Sequence, residues 1–83
     1  MSDGADFSFN GMDVGYFEGP SPTQGGRARY MPFRGPGHYE LQQALKADAR
    51  PRCTYLTNGI EITFEVLNCP EYGVLDLGNF SGA

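Results

Sequence analysis

Asn58-Gly59 stands between two short alternating runs, residues 52–57 and 60–67. An Asn-Gly pair in that setting predicts a two-residue hairpin, because a type I′ turn needs φ > 0 at both central positions. The register then follows. Thr57 faces Ile60, Tyr55 faces Ile62 and Cys53 faces Phe64 on one side. Leu56 meets Glu61, Thr54 meets Thr63 and Arg52 meets Glu65 on the other. The first face is apolar and the second is polar, with one opposite-charge pair. Such a hairpin buries one side and wets the other.

A second Asn-Gly pair, Asn10-Gly11, predicts a shorter hairpin with Phe9 opposite Met12 and Phe7 opposite Val14. Tyr16 and Phe17 are consecutive, so one points to each face. Residues 19–26, with no charge and no aromatic side chain, read as a loop. Residues 27–33 alternate, with Arg27, Arg29, Met31 and Phe33 on one side and Ala28, Tyr30 and Pro32 on the other. Pro32 cannot donate to a ladder, which makes this strand an edge or ends it there. Leu41, Ala44 and Leu45 fall at helical spacing and predict a helix over about 38–48, with His38 on the same side and Pro51 as its stop. Residues 68–72 read as a loop, and 73–78 as a last strand with Leu75 and Leu77 on one side. Phe80 is placed to dock.

These elements make an α+β fold in a single small domain over residues 7–80. Residues 1–6 are expected to fray and 81–83 to form a tail. A curved antiparallel sheet of four to six strands carries one helix across its apolar face, and a barrel-like closure of that sheet is an alternative. The expected core is Val14, Tyr30, Leu41, Ala44, Leu45, Cys53, Tyr55, Ile60, Ile62, Phe64, Val66, Leu75 and Leu77. A chain of 83 residues has a thin core, so a site belongs on the surface or in a shallow cleft.

The formal net charge of −4 argues against a general nucleic-acid binder. Its distribution says more. All six Lys and Arg lie between Arg27 and Arg52, so the chain runs acidic, basic, acidic. The two cysteines sit at positions about 15 Å apart on an extended strand, beyond bridging reach. With an acidic N-terminus and no apolar run of spanning length, the chain reads as a reduced, cytoplasmic protein with no membrane partner.

The turn Arg34-Gly35-Pro36-Gly37-His38 is the first candidate site. A helix N-terminus offers free N–H groups and partial positive charge, Arg34 adds a two-pronged donor, and His38 a donor or proton carrier. It is not a phosphate-binding P-loop, and Gly-Pro-Gly is also plain turn chemistry. The second candidate is the wider basic and aromatic set, Arg27, Arg29, Tyr30, Phe33, Arg34, Tyr39, Arg50 and Arg52, although Arg52 is expected to be occupied by Glu65; with His38 these are the residues for anion or partner binding. Catalysis has little to work with: one histidine, and a Cys53 that points into the apolar face. An enzyme built on His38 or Cys69 is the weakest of the readings. No spacing suggests a metal, and nothing calls for a cofactor. The expectation is a non-enzymatic protein-binding or self-associating module. Its hallmark is a contiguous exposed apolar patch of Tyr16 or Phe17 with Met31 and Phe33, or strand addition along 27–33. The alternative is an anion- or nucleic-acid-binding module in which Arg29, Arg34, His38 and Arg50 converge.

Overall fold

The structure, a computed structural model, describes residues 6–19, 22 and 26–82. Both Asn-Gly pairs take the left-handed values that a type I′ turn demands. The φ angles are 54° and 78° at Asn10 and Gly11, and 52° and 77° at Asn58 and Gly59. Behind the second turn, β4 (Arg52–Thr57) and β5 (Ile60–Glu71) show all six expected pairs, from Thr57 opposite Ile60 to Arg52 opposite Glu65. Cys53, Tyr55 and Phe64 point inward and are buried. The apolar face thins toward the turn: Ile62 is half-buried and Ile60 exposed, so neither belongs to the sealed core.

The first hairpin departs from its expected register. β1 (Asp6–Phe9) and β2 (Met12–Phe17) pair Phe9 with Met12, but Phe7 with Gly15 rather than Val14. Ser8 pairs with Asp13, which leaves Val14 as the extra residue of a β-bulge. The bulge shifts the phase of β2. Val14 and Phe17 both turn inward while Tyr16 stays on the outer wall, half-buried. Phe7 and Phe17, absent from the expected core, stack at 4.6 Å between ring centroids. Gly15 is needed where it stands, because a Cβ there would run into the Met31 carbonyl of the neighbouring strand.

β3 (Gly26–Pro32) and β6 (Val74–Ser81) complete a closed barrel in the order β1-β2-β3-β6-β5-β4. Every neighbouring pair is antiparallel. The α+β content stands, but the open curved sheet does not. Two long-range seams close it. Phe7 pairs with Tyr55 and Phe9 with Cys53 across β1–β4, and Arg27 pairs with Asp76 and Ala28 with Leu75 across β3–β6. A sheet with one apolar face and no second sheet to cover it buries that face by rolling onto itself. β3 is therefore no free edge: it pairs with β2 through residues 30–32 and with β6 through residues 26–29.

The interior is packed with rings. Phe7 meets Tyr30 edge-on at 5.4 Å, and Phe17 meets Tyr55 edge-on at 5.5 Å. Phe64 lies within 6.0 Å of Phe7 and 5.7 Å of Phe17. Burying each such ring is worth about 1.5–3 kcal/mol, and each well-set ring pair about 0.5–1.5 more. The Tyr55 hydroxyl is buried and has no hydrogen-bond partner among the described residues.

β5 continues to Glu71, so residues 68–71 are strand and not loop; the turn is Tyr72-Gly73, with Gly73 at φ 82°. On β6, Leu75 and Leu77 face inward as expected, and Phe80 stacks on Phe64 at 5.6 Å. Ser81 belongs to β6, and Gly82 lies close against the Glu61 carbonyl and Ile62. The expected tail is thus docked through Gly82. Ala83, residues 1–5 and most of the 19–26 segment lie outside the described residues.

The helix α1 (Pro36–Lys46) begins and ends two residues before its expected bounds. Gly35 caps it and Pro36 fills the first turn, where its missing N–H costs nothing. It ends in a Schellman arrangement: the Asp48 N–H donates to the Leu45 carbonyl and the Ala49 N–H to the Ala44 carbonyl. Asp48 takes the left-handed position, φ 58°. α1 packs against β2, β1 and β5, and its Leu41 joins the core cluster. Gly37 rests on the Met12 and Asp13 carbonyls, which leave no room for a Cβ. Leu41 is fully buried, while Ala44 and Leu45 are only half-buried at the rim.

Candidate functional site

The core residues are 0–3% exposed, so the barrel holds its own side chains and offers its outer surface for binding. The outer wall of β2 and β3 carries one apolar patch. Tyr16 and Met31 are register partners, and the Tyr16 and Phe33 rings stand 5.8 Å apart. Met31 is 45% exposed. The bulge at Val14 puts Tyr16 there and sends Phe17 inside. Phe33 is held by its N–H, which donates to the Val14 carbonyl at 2.7 Å. Charged residues border it. Arg29 and Glu18 lie at one end, tied by the Glu18 N–H donating to the Arg29 carbonyl, and exposed Arg34 follows Phe33 at the other.

The remaining expected site residues go to different places. Arg27 is taken up by Asp76, its Nε donating at 2.8 Å, and holds that carboxyl below the ordinary range. Tyr30 is a core residue, 2% exposed, and burial pushes its phenol up to about 12. Its hydroxyl accepts a long hydrogen bond from Gln42 Nε2 at 3.4 Å. His38 is half-buried between Tyr30 and Tyr72, with ring centroids 6.4 and 6.1 Å away, and its Nδ1 is buried without a partner. Tyr39 stands out from α1, exposed.

Arg50, in the left-handed region at φ 43°, lines a cleft of about 250 Å³ between the last turn of α1 and β5. Arg34 and Arg50 thus flank opposite ends of an eleven-residue helix, about 16 Å long. The close approach that Gly37 permits is used by the β2 backbone. No side chain caps the helix N-terminus, and no acid sits in its first turn. A second groove, lined by Asp6, Ser8, Asp13, Thr54 and Glu61, is acidic; within it Ser8 and Thr54 share a hydroxyl hydrogen bond of 3.2 Å.

Neither thiol is reactive by environment. Burial pushes Cys53 up to about 12. Cys69 is also raised, by burial and then by Asp76, and donates to the Glu71 carbonyl at 3.2 Å. Both are free. Among the described residues no three His, Cys, Asp or Glu side chains gather as a metal site, and no helix is long and apolar enough to cross a membrane.

Sequence reasoning missed the cleft beside Arg50 altogether. It read residues 68–72 as loop and did not single out Lys46. The one available signal was the four-residue spacing of Lys46 and Arg50. Comparison with protein-family models, with curated proteins and with solved structures finds no match to this chain.

Proposed function

We propose that the protein is a non-enzymatic protein-binding or self-associating module whose working surface is the Tyr16, Met31 and Phe33 wall. The observation that carries this reading is the contiguity of those three side chains, with Arg29, Glu18 and Arg34 confined to the rim. An apolar centre inside a charged border is the usual anatomy of a protein interface. The raised thiols and the lone histidine support a role without catalysis. Two free cysteines fit a reducing, cytoplasmic setting. Strand addition along β3 is not part of this reading, since residues 26–29 already pair with β6 and residues 30–32 with β2.

The test is photo-crosslinking from position 31, together with sedimentation from micromolar to millimolar concentration. The expected result is capture of a second copy or of one defined protein, lost on Phe33→Ser. The same capture pattern from a crosslinker at Leu56, on another strand, overturns the assignment. A second reading, anion binding at Arg34 and the start of α1, is favoured by a helix N-terminus that no side chain caps, beside an exposed arginine. It requires phosphate-induced amide shifts at residues 35–39 that disappear on Arg34→Ala.

A further inference from the structure

β5 is twelve residues long and its partner β4 only six. β4 pairs with β5 through Glu65, and the Pro51 carbonyl takes the Val66 N–H at 2.9 Å. Beyond that point β5 keeps β6 on one side and, among the described residues, no strand on the other. Backbone N–H and C=O groups in such a position are a ready template for another strand. This free edge faces the cleft beside α1, whose opposite wall includes Gln42, Lys46 and Arg50.

Lys46, the basic residue of the last turn of α1, and Arg50 just beyond it complement the negative end of the helix, but neither has an ion-pair partner among the described residues. The carbonyls of Gln43, Ala44 and Leu45 are already satisfied by the N–H groups of Ala47, Asp48 and Ala49. The two ion pairs among the described residues, Arg27–Asp76 and Arg52–Glu65, leave Lys46 and Arg50 free. Arg50 lies near enough to help hold the Glu65 carboxyl down, but that group already has Asn79 and Arg52 as partners. Asp48 is the one acid lining the cleft, against two bases. No aromatic side chain lines it, so it offers no stacking platform for a nucleobase.

We propose that this cleft takes an extended acidic peptide as an added strand on β5, its backbone bonding the edge at residues 67–69 and its carboxylates meeting Lys46 and Arg50. Main-chain bonds of this kind supply affinity, and flanking charges select the sequence. Pro70 has no N–H to offer, so the added strand ends there. The site is separate from the Tyr16, Met31 and Phe33 wall and does not depend on it.

The experiment is selection of displayed random heptapeptides on the immobilised protein, followed by titration of the synthetic winners into ¹⁵N-labelled protein. The expected winners carry at least two acids, shift the amides of Leu67, Asn68 and Cys69, and slow hydrogen exchange there. The double variant Lys46→Glu/Arg50→Glu weakens them at least tenfold, while its amide spectrum elsewhere overlays that of the unaltered protein. No enriched sequence, binding indifferent to the double variant, or shifts confined to Tyr16, Met31 and Phe33 each overturn the proposal. So does a short single-stranded RNA that shifts these amides where the peptides do not.

Discussion

Phe7 stands three residues before Asn10 and Tyr55 three before Asn58, and the two are register partners across the β1–β4 seam. From that pair outward the chain does the same thing twice: strand, Asn-Gly turn, strand, third antiparallel strand. The halves then diverge. β1 has four residues and β2 six with a bulge, whereas β4 has six and β5 twelve with an unbroken register against β4. The Arg52–Glu65 pair lies wholly within the second half. The first half has no such pair of its own among the described residues. It has instead the Phe7–Phe17 stack and a helix resting on the carbonyls of Met12 and Asp13. A lone short hairpin is marginal in water. The second half is specified by its own pattern, and the first is held by what packs against it.

The sharpest way to break that contrast is Phe7→Ala. Phe7 is 1% exposed and touches Phe17, Tyr30 and Phe64. Its loss should cost about 3–5 kcal/mol, read from the urea midpoint and slope. A cost near that of a surface change would show that the first hairpin sustains itself. At the facing position Tyr55→Phe should do the opposite. It removes a buried hydroxyl that has no partner, and relief of that penalty should stabilise by about 1 kcal/mol. A destabilised variant would show that the hydroxyl has a partner in solution.

The smallest effect belongs to Arg52→Ala. Asn79 first and Arg52 second hold the Glu65 carboxyl below its ordinary range. A lowered pKa means that this contribution is present above the unfolded value of about 4.3 and is lost as pH falls through the folded one. Arg52→Ala should move the Glu65 titration upward by NMR while the unfolding midpoint at pH 7 stays nearly fixed, because the arginine is exposed.

What could be read in advance was local. Asn58-Gly59 set the β4–β5 register to the residue, including the Arg52–Glu65 pair and the inward Cys53. Leu41 gave the helix its buried face. The misses were cooperative. Nothing near Val14 except Gly15 announces the bulge that turns both Val14 and Phe17 inside. Closure joins residues far apart, such as Phe7 with Tyr55, that no short window compares. Residues 68–72 read as a loop, yet Pro is tolerated on an edge, and residues 67–71 are an edge. The apolar wall was legible as the set Tyr16 or Phe17, Met31 and Phe33. The cleft was not, because it exists only where β5 outruns β4 beside the end of α1.

The seam between β1 and β4 also has a price in time. Pairing Phe7 with Tyr55 closes a loop of more than forty residues, and such non-local contacts return nothing until that loop entropy has been met. The β4–β5 hairpin turns on two residues and forms without waiting for it. We therefore expect the ring to close late, after the local hairpins exist. Phe7→Ala should then accelerate unfolding more than it slows refolding, because its contact with Phe64 forms only on closure.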